Sequence, residues 1–216
     1  MTYREAVFFI TDSLKQFSDD NVWEPEHIIK FIHKYRSLLF KQRYLDRKKE
    51  IPLIFYQKLN VDLDVYTTVK RSRKIIPYPI DNQLINTYTY ISLDDLAISK
   101  VGVVSPQRFE LLQYNKWTST MPVASIMIDG HLMIRNASNY SSVIMYTILD
   151  NPIDADIFNG VNTLDVLDLE LPCDESLFQS IVELIVREMS ALNGLPRDIS
   201  NNANDDVIAN QNSRKD

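Results

Sequence analysis

Residues 163–206 read TLDVLDLELPCDESLFQSIVELIVREMSALNGLPRDISNNANDD, and the architecture follows from how this run is divided. An acidic run that alternates like a strand from Leu164 to Leu171 stops at Pro172. Asp174 is a natural N-cap, and Asp174 with Glu175 sets carboxylates against the positive end of a helix dipole. Leu177, Ile181, Leu184, Ile185, Glu188 and Leu192 recur at three- and four-residue spacing, and Phe178, Val182 and Met189 widen the stripe. Gly194 occupies a C-cap position and Pro196 forbids continuation. The spacing predicts a helix of about 19 residues, roughly 28 Å long. A stripe of this width has to be covered, by a sheet of the same chain or by a neighbouring subunit.

The rest of the chain supplies the cover. In residues 2–17 one helical face carries Ala6, Phe9, Ile10, Leu14 and Phe17, and Thr2 with Glu5 matches a capping box. Pro25 suits the first turn of a second helix bearing Ile28, Ile29, Phe31, Ile32, Tyr35, Leu38 and Leu39, which runs on toward Glu50. Ile51–Leu59 fits a short helix or a strand equally. Residues 60–74 alternate as one extended run with Val61, Leu63 and Val65 on one side, and Pro77 and Pro79 confine residues 75–80 to an edge or an arm. Further strands are expected near 85–91, 96–104 and 142–149, with a short helix at 107–114. Asp129-Gly130 between two apolar runs predicts a hairpin with a two-residue turn.

The expectation is therefore an α+β protein: an antiparallel helix pair over 1–50, a mostly antiparallel β region over 51–171 with an extended arm near 70–82, a C-terminal amphipathic helix over 172–196 packed on the same domain, and a polar, flexible tail over 197–216.

Composition limits the chemistry. The chain has 216 residues, 45% hydrophobic and 24% charged, enough for one sizeable core or two small ones. No apolar run approaches the length that crosses a bilayer, the N-terminus lacks the apolar core of a signal peptide, and no membrane partner is expected. A single Cys173 cannot form an internal disulfide or a metal cluster, and four glycines leave little for a phosphate-cradling loop. His27 and His33 stand six residues apart, the wrong offset for one metal-binding helical face, and His131 is remote from both. Asp62/Asp64 and Asp94/Asp95 lack a context that would separate their pKa values. Ser105 and Ser125 lack the glycine-flanked elbow of a hydrolase. Cys173 precedes a helix N-terminus, which can lower a thiol pKa, but no general base accompanies it. Catalytic, cofactor and metal residues are expected to be none.

Charge is the remaining signal. Residues 1–149 carry 19 Lys/Arg and 15 Asp/Glu, a net of +4, whereas residues 150–206 carry 2 and 13, a net of -11. Such asymmetry either solvates a surface or lets copies of the chain meet head to side. The basic residues Arg43, Arg47, Lys48 and Lys49, and Lys70, Arg71, Arg73 and Lys74, are the candidates for contact with a partner or with DNA. The acidic Asp165, Asp168, Glu170, Asp205 and Asp206 are the candidates for subunit contact.

Leu169-Glu170-Leu171-Pro172, the helix core Ile181–Met189, Leu195-Pro196-Arg197-Asp198 and Asn204-Asp205-Asp206 together resemble the C-terminal part of small virion proteins of tailed bacteriophages. The N-terminal helical pair ending in a basic segment is similar in layout to head-to-tail connector or adaptor proteins, particularly the ring proteins of crAss-like phages. The resemblance implies a non-enzymatic virion protein, made in the host cytoplasm. It would form a ring of twelve copies beneath the portal, in contact with the portal and other connector or tail proteins, and would continue the channel for packaged DNA. A DNA-associated accessory protein acting through residues 41–49 and 70–74 is the alternative, and an enzyme with an unrecognised site is a third.

Overall fold

The computed structural model describes residues 1–15, 23–45, 50–81, 89–93, 100–114, 120–161 and 165–192. Helix α1 (Tyr3–Lys15) opens on the reciprocal cap read from the sequence: the Thr2 N–H donates to Glu5 Oε2 at 2.9 Å and the Glu5 N–H to Thr2 Oγ1 at 3.2 Å. Its buried face is Tyr3, Ala6, Val7, Ile10 and Leu14. Phe9, placed on that face by the sequence reading, is instead 54% exposed beside Phe8 at 74%. The buried face is centred nearer Val7 and includes Tyr3, whose phenol oxygen lies 2.9 Å from His33 Nε2. Phe17 lies outside the described residues.

Helix α2 (Pro25–Phe40) starts with proline in its first turn and buries Ile28, Ile29, Ile32, Arg36, Ser37 and Phe40. It does not continue as a regular α-helix: Lys41–Leu45 form a π-helical turn. The wider turn swings Tyr44 and Leu45 inward, and Phe40, Tyr44 and Phe55 form a ring cluster with centroids 5.1–5.2 Å apart. Leu38, assigned to the buried face by its spacing, is 45% exposed.

Leu53–Phe55 is a short 3-10 turn, after which β1 (Gln57–Tyr66) begins. Gln57, Leu59, Val61 and Leu63 face inward at period two. The single extended run expected over residues 60–74 is broken by a turn at Thr67-Thr68 into a hairpin of β1 with β2 (Val69–Ser72), with Tyr66 opposite Val69. Thr67 takes φ 54, a left-handed conformation that nothing in a Thr-Thr pair announces. The remaining strands are β3 (Tyr90–Ser92), β4 (Lys100–Gly102), β5 (Val123–Ile126), β6 (Leu132–Arg135) and β7 (Ser142–Thr147). All strand pairs in the sheet are antiparallel, in the order β4-β3-β7-β1-β2-β6-β5. The two edges then meet. Val103 bridges Ala124 in parallel, and the Val104 N–H donates to the Ala124 carbonyl at 2.9 Å. The sheet is thus a nearly closed seven-stranded barrel, filled by Leu59, Val61, Leu63, Ile91, Leu132, Ile134 and Met145.

The β5–β6 connection is a three-residue loop, Ile128-Asp129-Gly130, rather than the two-residue turn expected. Met127 pairs with His131 on either side of it, and Gly130 sits at φ 78. Residues 76–80 lie against the chain's own structure: the Ile76 N–H donates to the Gly130 carbonyl and the Ile80 N–H to the Ile148 carbonyl, both at 2.9 Å, and Pro79 bridges Leu149.

Helix α3 (Pro106–Leu111) follows Ser105, whose hydroxyl caps it, and α4 (Ile153–Phe158) follows Pro152. The last helix, α5 (Glu175–Leu192), packs on α1 and α2, and with them covers a second apolar cluster at the end of the barrel where β1 begins. Leu177, Phe178, Ile181, Val182, Ile185 and Met189 are buried there, each burial contributing about 2 kcal/mol. Gly194 and Pro196 lie outside the described residues. The strand expected over 164–171 does not form in the part that is described. Val166–Asp168 is a 3-10 turn, followed by a lone bridge from Glu170 to Thr2. A 3-10 turn stacks residues three apart on one side, which brings Asp165 and Asp168 together in front of Arg4. A strand would have sent them to opposite faces. The arrangement of helices beside an antiparallel sheet is α+β.

Candidate subunit interface

A buried polar seam joins the helices to the barrel. Arg36 is fully buried on α2, donating from Nε to the Pro172 carbonyl and from Nη1 to the Leu149 carbonyl, both at 3.0 Å, while Nη2 has no partner. Next to it Ser37 Oγ donates to Asp150 Oδ1 at 2.6 Å. Burial, reinforced by the Arg36 charge and only partly offset by Asp150, pushes His33 down to about 4, so the imidazole is neutral at ordinary pH. Burial also pushes the Cys173 thiol up to about 12, the reverse of an activated nucleophile. The seam ties α2 to the residues that follow β7 and to those that precede α5.

The N-terminus of α5 is fixed by Asp174. Its Oδ1 accepts from the Leu177 N–H at 2.7 Å and from Ser176 Oγ at 2.8 Å, and Oδ2 accepts from Tyr44 at 2.6 Å. Burial pushes this carboxyl up, but those hydrogen bonds and Arg43 hold it below the usual carboxylate range. Arg43 lies 3.6 Å from Asp174 and, with Leu39, Gln42, Leu177 and Ser180, lines a cleft of about 240 Å³ between the π turn and α5. Farther along, Glu188 accepts from Lys34 at 2.7 and 2.8 Å and from the Tyr35 hydroxyl, tying α5 to α2.

The other predicted contact residues fall into two groups. Lys70, Arg71, Arg73 and Lys74 run along β2 and past its end, from beside the β1–β2 turn back toward α4: Arg71 pairs with Asp129 at 2.9 Å, Arg73 with Asp64 at 3.0 Å, and Lys74 donates to the Phe158 carbonyl at 2.7 Å. Asp165 and Asp168 share Arg4, each at 2.9 Å, and Glu170 lies opposite Thr2. Arg47, Lys48, Lys49, Asp205 and Asp206 lie outside the described residues. Arg43 lies on the π turn beside α5, whereas Lys70–Lys74 lie on β2 and in the residues just after it.

Each group is accompanied by exposed apolar side chains, among them Val65 and Phe9, which the sequence reading placed on buried faces. At the hairpin end, Val65 is in phase with the inward-facing Leu63, yet lies past the barrel rim and is 73% exposed. Tyr66 lies beneath the Arg71 guanidinium at 5.3 Å, and Arg71 reaches Asp129 in the β5–β6 loop, which lies at the opposite end of the sheet from the β1–β2 turn and carries the fully exposed Ile128. On α1, Phe8 and Phe9 stand on the solvent side, Phe9 against Phe178 with ring centroids 5.9 Å apart. Two phenylalanines on the polar face of an amphipathic helix break its binary pattern, as does an exposed valine in the inward phase of a strand.

Among the described residues no group of three or more His, Cys, Asp or Glu is placed to hold a metal ion, and no helix is long and apolar enough to cross a membrane. Among the described residues the surface carries exposed apolar side chains set among charges. The class is that of phage tail ring proteins. The chain belongs to the family described as phage tail ring protein 2, whose model matches residues 6–207. It is similar to Ring protein 2 of Bacteroides phage crAss001, with 29% identity over 226 residues spanning 96% of this chain and 98% of that protein.

Proposed function

We propose that this protein is a non-enzymatic structural component of the portal and tail connector that closes into a ring of identical copies, twelve in number, through which packaged DNA passes. Its family is the observation that carries this reading. In the ring the N-terminal helices act as an antiparallel pair held by α5. Arg43, Lys70, Arg71, Arg73 and Lys74, with Asp165, Asp168 and Glu170, meet neighbouring subunits, the portal or other connector and tail proteins. The polar residues 197–216 are a further candidate for contact with the same neighbours. The chain is made in the host cytoplasm before entering the virion. Negative-stain imaging and native mass spectrometry of the full chain, alone and mixed with the portal and adjoining tail proteins, test the reading. Closed rings of uniform copy number are expected. A chain that stays monomeric in every mixture overturns it.

A further inference from the structure

A ring of identical chains uses a heterologous contact, in which one patch of each copy meets a different patch of the next. Resting on the ring reading above, we infer that the solvent face of α2 in one copy packs on the solvent face of α1 in the next, with Leu38 seated between Phe8 and Phe9. The occupant of each face is a second copy of this chain.

On α1, Glu5, Phe8, Phe9 and Asp12 stand at i, i+3, i+4 and i+7, and all four are exposed. Residues at that spacing outline the four-cornered hole that receives one side chain from a facing helix. The long diagonal of the hole ends in two carboxylates, which seven residues of helix set about 10 Å apart. The short diagonal is the two phenylalanines, and Phe9 rests on Phe178 with ring centroids 5.9 Å apart, which fixes one wall.

On α2, Lys34, Leu38 and Lys41 follow at spacings of four and three and form one stripe. Leu38 is 45% exposed in the middle of this basic face, and Lys30 continues the stripe one turn earlier. Lys34 and Lys41 are seven residues apart, the same interval that separates Glu5 from Asp12. Leu38 placed between the phenylalanines therefore sets one lysine beside each carboxylate. The apolar centre supplies affinity, and the two ion pairs at its rim fix register and disfavour α1 on α1 or α2 on α2.

The neighbouring charges leave this complementarity in place. Arg4 is shared by Asp165 and Asp168, each at 2.9 Å, and Lys15 lies a turn beyond Asp12. Glu5 accepts from the Thr2 N–H through one carboxylate oxygen and keeps the other. Lys34 holds Glu188 at 2.7 Å but its side chain is 54% exposed, and an ammonium has three donors. The buried stripes of α1 and α2 belong to one apolar cluster, where Tyr3 meets His33, so the opposite faces of the two helices point away from that cluster and do not meet within one copy. Repeated from copy to copy, the contact joins the helix pairs into one belt.

Helices packed in this way lie about 8–10 Å apart, within reach of a disulfide between the central positions, and the native Cys173 is buried. Full-length Phe8→Cys and Leu38→Cys chains, with unchanged folding by circular dichroism, are mixed under mild oxidant, alone and with portal. A disulfide-linked dimer of the two variants, absent when either is oxidised by itself, is the expected result. Closed rings without that cross-link overturn the contact and leave the ring reading standing. Cross-linked open filaments support the contact and overturn closure, and the absence of both rings and cross-links overturns both. A Phe8→Cys chain that links to itself makes the α1 face a two-fold contact and also overturns the proposal. Serine variants supply a second measurement, by native mass spectrometry. Phe8→Ser and Leu38→Ser chains are each expected to stay monomeric, and their mixture to stop at a one-to-one dimer, because one intact contact remains between them. If the Phe8→Ser chain still closes into rings but no longer assembles with portal, the α1 face serves the portal and the proposal falls.

Discussion

Arg36 and Leu149 are joined by a hydrogen bond of 3.0 Å from Nη1 to the carbonyl oxygen, at a point where α2 meets the end of the barrel and the guanidinium is fully buried. With the second bond to Pro172, one side chain fixes both the exit of β7 and the approach to α5. Arg36→Ala strands two buried carbonyls and opens a cavity, so a loss of roughly 3–5 kcal/mol is expected from denaturant midpoints. Arg36→Met keeps the apolar stem and removes a donor that already lacks a partner at Nη2, and is expected to lose less.

His33 sets the acid limit of stability. Its folded value of about 4 lies below the ordinary 6.5, so between these the unfolded chain binds a proton that the native imidazole refuses. The contribution is full above pH 6.5 and is lost as the pH falls toward 4, with about 2 kcal/mol gone by pH 5. Thermal melts at pH 7.5 and pH 5 are expected to show that drop in the parent chain and a smaller one in His33→Gln. An equal drop in both would assign the acid sensitivity to other groups.

Asp174 is the cap on which α5 depends. Asp174→Ala removes the acceptor for the Leu177 N–H and releases the Tyr44 hydroxyl, and a loss of about 1–2 kcal/mol is expected. Asp174→Asn keeps an acceptor and is expected to recover most of it. Hydrogen exchange confined to the first turn of α5 locates the effect.

The turns give two changes of opposite sign. Thr67→Gly relieves a β-branched residue at φ 54 and is expected to stabilise the hairpin by about 1 kcal/mol. Gly130→Ala places a Cβ 2.7 Å from Ile75 Cγ2 at φ 78, and a loss of about 1–2 kcal/mol is expected. Gly102→Ala meets nothing within 4 Å and serves as the neutral or mildly stabilising control.

The parts legible in the sequence are those where local chemistry and tertiary packing agree. Thr2 and Glu5, Pro25, and the alternation of Leu59, Val61 and Leu63 each do in the fold what their type and spacing announce. The misread parts are where a distant group decided. Asp165 and Asp168 alternate with apolar residues as a strand would, but Arg4, more than 160 positions away, draws both to one side of a 3-10 turn. Thr67 and Thr68 are strand formers, and the hairpin breaks there because β2 must pair with both β1 and β6. The exposure of Phe8 and Phe9 was hidden for a different reason: period counting finds an apolar face, but it does not say which of two overlapping faces the fold will cover.

Seven is an odd number of strands. When an odd number of strands alternate in direction, the first and last run the same way and can meet only in parallel, and among the described residues that meeting is the parallel bridge between Val103 and Ala124. Mechanically the barrel is a split hoop: stiff around most of its circumference and compliant at one slit. A clasp lies across that slit, since Arg135 of β6 donates to the Phe109 carbonyl at 2.9 Å and packs its guanidinium on the Phe109 ring, anchoring α3 beside the seam. Widening the barrel at that slit therefore breaks the Arg135–Phe109 contacts as well as the Val104–Ala124 hydrogen bond, so α3 and the seam part together.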